Sequence, residues 1–465
     1  MAQASIEPAE SYRGLSYWFD SLPESVQGRP LSRDIEVDVA IVGAGYTGLW
    51  TAYYLTKADP SAKVVVLERD TSGFGASGRN GGWCSAMFAT SSAKLVRIYG
   101  REAEQRLRKE LERTVDEVGA VSAEEGIECH FRKGGQVMLA RNAAQLQRAR
   151  EEVEQARSLG VGDDDLRLLS AGEAGELVRA TRVLGAVYTP HCASVHPARL
   201  ASGLAASLER RGVTIFEKTA ALEIRPGRVV TAQGLVRAQA VVRATEGYSA
   251  QFRGAHRDVI PFYSLMIATE PLDPTVLDEI GLRNGETFAD MRHLVIYGQR
   301  TFEGRIAFGG RGAPYHYASR IRPGYDNDSR IHSQVHKTLV DLFPALSGTR
   351  VTHRWGGPLG IARDWHPSVG FDRATGLGWA GGYVGDGVAV ANLAGRTLAA
   401  LITGTDDDCT RLCWVGHRSR RWESEPLRWV GVNCALRAMA SADRAEERSG
   451  RASRLASALS PLIGG

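Results

Sequence analysis

Val37 to Val42 is a continuous apolar run in which Asp38 is the only charge. Such a run suits a parallel strand buried on both faces. Gly43-Ala44-Gly45-Tyr46-Thr47-Gly48 follows at once. Leu49, Ala52, Tyr53 and Leu55 then recur at helical spacing up to Lys57, and Lys63 to Leu67 is a second apolar run that ends at Glu68. Together these predict a strand-helix-strand unit of about 30 residues. Further on, Leu95, Ile98, Leu107, Leu111, Val115 and Val118 predict a helix over 92–119. A charged helix is predicted over 143–159, a further helix over 200–208, and a last helix over 388–402. Strands are predicted at 136–140, 213–216, 236–244, 264–269, 293–297, 305–308 and 377–380.

The strand-helix signals of the first unit return near 213–245 and 377–402, and the blocks between are strand-rich or charged-helical. The fold class is therefore α/β, with two α+β domains. A Rossmann-type nucleotide-binding domain (35–91, 190–258 and 350–404) is interrupted by an antiparallel-sheet substrate domain (92–189 and 259–349). Residues 1–34, with Tyr12, Tyr17, Trp18 and Phe19, read as an arm laid on the body. Residues 405–465 read as a helical tail. Its Trp414, Trp422 and Trp429 are spaced to lie on one face and pack against the body.

Composition narrows the function. Lys+Arg 57 against Asp+Glu 53 gives +4 over 465 residues, which speaks against a nucleic-acid partner. No apolar run is long enough to cross a membrane. Met1 to Asp20 has neither a basic start nor an apolar core, so a cytoplasmic location is expected. The six cysteines are scattered, and Cys409-x-x-x-Cys413 has no second pair, so free thiols and no metal site are expected.

The chemistry lies in three glycine-rich turns. Gly43-x-Gly45-x-x-Gly48 sits between a strand and a helix, with Glu68 20 positions beyond Gly48, as in a dinucleotide fingerprint. Gly43 serves the turn, Gly45 lets backbone approach a pyrophosphate, Gly48 lets helix and strand pack, and Glu68 accepts from the ribose hydroxyls. A second loop runs Gly73-Phe74-Gly75-Ala76-Ser77-Gly78-Arg79-Asn80-Gly81-Gly82. So much glycine just after the ribose acid points to a large flat ligand. Arg79 and Ser77 suit a pyrophosphate, and Asn80 with the glycine amides suits a flavin ring. A third turn, Gly381-Gly382-Tyr383-Val384-Gly385-Asp386-Gly387-Val388, opens a helix whose positive end stabilises negative charge on a ligand.

The motifs GAGYTG, LERD (with Glu68 and Arg69), GFGASGRNGG and GGYVGDGV closely resemble the FAD-dependent oxidoreductases of the D-amino-acid-oxidase-like (DAO) superfamily. Within it the nearest likeness is to the gamma-glutamylputrescine oxidase-like amine oxidases. Ile260-Pro261, Ala268-Thr269-Glu270-Pro271 and His353-Arg354-Trp355-Gly356-Gly357 also match, so the likeness covers about residues 10–404. It implies FAD on the three turns, including Tyr46 and Thr47. It also implies contacts from Ala244, Thr245, Gly247 and Tyr248, from the backbone near Ala221, and from Trp355 and Gly356. Tyr263, His293, Tyr297, Trp355 and Asp386 are implied as substrate-pocket residues. Neither a Cys near Trp355 and Gly356 nor a His in the 73–82 loop is present, so the FAD is expected to be non-covalent.

The resemblance implies oxidation of a small-molecule amine or amino acid by hydride transfer to the flavin, with O2 as acceptor. A dehydrogenase using another acceptor and a flavin monooxygenase are the alternatives. Asp386 admits two readings, a cap for the helix after it or a carboxylate facing a distal ammonium of the substrate.

Overall fold

The computed structural model describes residues 12–23 and 28–459. Among them are two eight-stranded sheets and a two-stranded ribbon. In the first sheet, Ile35–Val42 is central. It pairs in parallel with Leu235–Arg243 on one side and Val64–Leu67 on the other. Thr214–Phe216 and Leu377–Gly381 extend the parallel set, and Ser368–Asp372 runs antiparallel at an edge. The unbroken apolar run is explained by what covers it. Val39 and Ile41 join a core with the helices Tyr46–Ala58, Arg101–Glu124, Pro197–Arg210 and Gly387–Thr403. Ala40 and Val42 face the opposite side, with Val229 and Val236.

The second sheet runs Val351–Ala362, Val259–Thr269, Ile306–Arg311, Ile296–Arg300, Thr287–Asp290, Gln136–Ala140, Gly185–Thr189, Arg167–Ser170. Its neighbours are antiparallel except Thr287–Asp290 with Gln136–Ala140. Three sequence expectations change here. Val351–Ala362, expected in the nucleotide-binding domain, is the edge strand of this sheet and pairs with Val259–Thr269. The helix expected over 92–119 is two helices, Ser92–Tyr99 and Arg101–Glu124, separated at Gly100, whose φ is +87°. The longer one packs Leu107, Leu111, Val115 and Val118 into the core of the first sheet rather than the second. The strand expected at 293–297 lies at Ile296–Arg300.

Of the arm, Tyr17, Trp18 and Phe19 are buried, and Trp18 donates to the Asn80 carbonyl at 2.8 Å. The tail also packs on the body, but its tryptophans do not share a helical face. Trp414 and Trp422 lie buried in non-helical chain, whereas Trp429 sits on the helix Leu427–Ser449 and is 40% exposed. No helix among the described residues is long and apolar enough to cross a membrane.

Candidate functional site

The three turns meet at the carboxyl ends of the first sheet's parallel strands, where the chain leaves each strand for a helix or loop. Gly43 has φ +106°, and a side chain there would strike the Ala244 carbonyl at 2.5 Å. A Cβ on Gly48 would lie 1.9 Å from the Gly43 carbonyl, so helix and turn touch backbone to backbone. Gly45 is the N-cap of the helix Tyr46–Ala58 and supplies no capping side chain. The Ser77 hydroxyl accepts instead from the Tyr46 amide at 2.9 Å, which brings the second loop onto the same helix terminus. Glu68 accepts from the amides of Ala44 (2.8 Å) and Asp70 (3.0 Å), and burial pushes its carboxyl up to about 7. Arg69 pairs with Asp70 and lies 4.9 Å over the Tyr248 ring. Ala221 opens the strand Ala221–Arg225 that flanks this half.

The second loop is held by side chains from both domains. Asn80 donates to the carbonyls of Ala76 and Ser77 and accepts from the Gly82 amide, so it fixes the loop's own shape. The buried Arg79 guanidinium pairs with Asp326 at 3.0 Å and donates to the Tyr248 hydroxyl, and Trp355 donates to the Arg79 carbonyl at 2.8 Å. Gln299 donates to the carbonyls of Gly81, Gly82 and Val195. The Tyr297 ring lies so close that a Cβ on Gly81 would meet it at 2.6 Å, and its hydroxyl is 2.7 Å from the Ser264 hydroxyl.

The third turn leaves Leu377–Gly381 through Gly382 (φ +76°), Val384 (φ +59°) and Gly385 (φ +115°) into the helix Gly387–Thr403, whose first turn buries Val388. Tyr383 reaches back to Thr47, hydroxyl to hydroxyl at 2.8 Å. Glu246 ties this turn down. Its carboxylate accepts from the amides of Gly382 (3.0 Å), Tyr383 (3.1 Å) and Gly360, and burial pushes it up to about 7. Thr245 bonds Ser249 beside it, and Gly247 abuts the backbone of Leu359. Asp386 occupies the N-cap position but makes no capping hydrogen bond with its side chain, contrary to the cap reading. Its charge adds to the burial that pushes the Cys192 thiol up to about 12.

Among the expected pocket residues, Tyr297, Trp355 and Tyr263 stand in the second sheet over these loops. Tyr263 is edge-on to both His316 and Tyr325, which stack 3.5 Å apart, and Tyr325 adjoins Asp326, the partner of Arg79. Gly356 lies against the Ser264 carbonyl in the neighbouring strand. His293 is not brought into this group. Its ring meets Glu446 at 2.9 Å and its amide donates to Asp443, both on the tail helix. Asp326 and Gln299 were not singled out in the sequence, because each acts on backbone or side chains remote along the chain.

Residues 38–401 match the family of FAD-dependent oxidoreductases, DAO. The chain belongs to this family. Among DAO members it is 30% identical over 395 residues to the gamma-glutamylputrescine oxidoreductase of Escherichia coli, covering 84% of this chain and 89% of that protein. It is likewise 30% identical to a probable oxidoreductase, OrdL, of Rhizobium meliloti, over 86% of this chain and 90% of that one. Its fold is that of glycine oxidase from Geobacillus kaustophilus, with a TM-score of 0.68 at 21% identity, over 82% of this chain and 99% of the other.

FAD is the family's cofactor, and the residues present fit it. A Cβ on Gly45 would lie 2.9 Å from the Ser77 hydroxyl, in the gap between the first turn and the second loop at the helix terminus. Such a terminus accommodates a pyrophosphate through its amides and its dipole. The Glu68 carboxylate stands one strand away at the ribose position of the fingerprint.

Proposed function

We propose that the chain oxidises a primary or secondary amine or an amino acid, with O2 as the electron acceptor and hydrogen peroxide as the second product. The observation that carries this reading is the convergence of three glycine-rich turns beneath the buried Tyr263 and Trp355 and the partly buried Tyr297, a cofactor cradle roofed by an aromatic wall. The amine-acting relative, with 89% of its length covered, supports the substrate class.

Bound FAD supplies the acceptor for the two electrons and the hydride lost from the substrate's α-carbon. The chain's own residues do the rest. Gly43, Gly45, Gly48, Glu68 and Ser77 hold the nucleotide end without a covalent bond. Arg79, fixed by Asp326 and Tyr248, sets the second loop beneath the aromatic wall. The wall excludes water and orients the substrate, whose nitrogen must be deprotonated before hydride leaves. The imine product takes up water to give a carbonyl compound and the free amine or ammonia. A cytoplasmic setting is part of the same reading.

A dehydrogenase using a different acceptor is the second reading. Oxygen activation is helped by a free cation beside the flavin, and here the buried cation of the second loop, Arg79, is already paired with Asp326. One experiment decides. The FAD-loaded protein is mixed with a panel of amines and amino acids, under nitrogen for bleaching of the flavin and in air for peroxide. Bleaching with stoichiometric peroxide is expected. Bleaching without peroxide establishes the dehydrogenase, and no bleaching by any amine overturns the substrate class.

A further inference from the structure

A cavity of about 340 Å³ lies outside the cofactor cradle, between the carboxyl ends of Leu235–Arg243 and Leu377–Gly381 and the tail segment 417–421. Of the turns proposed to hold FAD, only the start of the third, Gly381 and Gly382, lines it. Three guanidinium groups converge there: Arg243 from the sheet, and Arg418 and Arg421 from the tail. Their counter-charge is incomplete. Asp258 stands 3.5 Å from Arg243 and 3.9 Å from Arg421, so one carboxylate answers two cations at long range. Arg418 makes no ion pair among the described residues. It lies flat on Trp379 at 3.5 Å from the ring centroid, and burial, with Arg243 close by, pulls it down from its ordinary value.

The other ionisable groups do not fill the deficit. Glu246 also lines the cavity, but its carboxylate is engaged by three backbone amides. His366 donates through Nδ1 to the Pro367 carbonyl, and burial pulls it down to about 4, so it is neutral and adds no charge. His417 is held between Asp364 and the Tyr99 hydroxyl. What remains is a space in which three guanidinium groups face one lining carboxylate that the backbone does not engage, Asp258, with Asp372 acting on Arg418 as well, so positive charge is in excess.

We propose that this cavity binds a small, multiply charged oxyanion, a polycarboxylate or a phosphate compound, that bridges Arg243 to Arg418 and Arg421. Planar guanidinium groups suit such ligands because each can donate two parallel hydrogen bonds to one carboxylate or phosphate. The volume is at the small end of ligand sites, roughly 300–1,000 Å³, which suits a molecule the size of citrate or pyrophosphate. Occupancy would fasten segment 417–421 to the sheet beside the Gly381-Gly382 turn.

The test is calorimetric titration of the FAD-loaded protein with citrate and, separately, with pyrophosphate, at constant ionic strength set by potassium chloride. Saturable one-to-one binding of citrate assigns a carboxylate ligand, and of pyrophosphate a phosphate ligand. Arg243→Gln and Arg421→Gln are each expected to weaken binding at least tenfold. Arg157→Gln, at an exposed pair with Asp163, is expected to leave it unchanged. An unchanged flavin-to-protein ratio verifies that each variant is folded. Absence of saturable binding of either probe, or equal affinity in all three variants, overturns the proposal.

Discussion

Replacing Glu246 by glutamine should flatten the pH dependence of stability. Glu246 has φ +40° and joins three parts of the molecule: its own strand end, Gly360 of the second sheet, and the Gly382-Tyr383 turn. Its carboxyl is raised from 4.5 to about 7, with burial the leading cause. Between those values the folded protein keeps a proton that the unfolded chain has lost. The stabilisation is therefore complete below about 4.5 and is lost as pH rises through 7. At 1.36 kcal/mol per pKa unit, the loss is about 3 kcal/mol. Glutamine cannot ionise, so Glu246→Gln removes this fall. It also sets an NH2 group against at least one backbone N–H, at a cost of about 1–3 kcal/mol at every pH. Equilibrium urea unfolding of the FAD-loaded protein at pH 5, 6, 7 and 8 reads both effects. The drop from pH 5 to pH 8 should be about 2.5 kcal/mol smaller in the variant, because part of the loss falls below pH 5. Glu68, also raised to about 7, gives a residual fall of the same sign in the cofactor-free protein. Parallel pH profiles for wild type and variant would refute the burial of a titrating Glu246.

Two further outcomes bear on the site. Gly45→Val should leave a folded protein without FAD, because its side chain would enter the gap bounded by the Ser77 hydroxyl at 2.9 Å; flavin absorbance against protein concentration measures this, and a stoichiometric FAD content would mean the fingerprint is misassigned. Asp386→Asn should raise KM at least tenfold, about 1.4 kcal/mol, for diamines but not monoamines. An unchanged KM for the best diamine would remove Asp386 from substrate binding.

The parts of the fold that were legible in sequence are those set by local physics. The strand Ile35–Val42 announces itself because both its faces are covered, and the turns because glycine there is required by backbone contact. The strand Val351–Ala362 fell within the block assigned to the nucleotide-binding domain, and its Gly356-Gly357-Pro358 interrupts any apolar alternation. In the structure these glycines give room to neighbours: Gly357 lies beneath the Arg79 guanidinium and Gly360 against the Glu246 carboxylate. The partners of Glu246 carry no sequence signal, since they lie 114 to 137 positions away. His293 was drawn toward the pocket by family likeness, but Asp443 and Glu446, about 150 positions on, fix it at the tail.

The tail bears on how a substrate can enter. From Val415, bridged to Val369 at the edge of the first sheet, it passes Trp422, whose indole donates to Ile361 of the second sheet. It then runs as a helix to Asp443 and Glu446, which grip the turn before Ile296–Arg300 and the helix of Arg148. A single covalent thread is thus riveted to both sheets at points far apart. Any rotation that opened one sheet from the other would have to shear these rivets together. A substrate would therefore have to reach the cradle past the smaller elements around it, not by the parting of the two sheets.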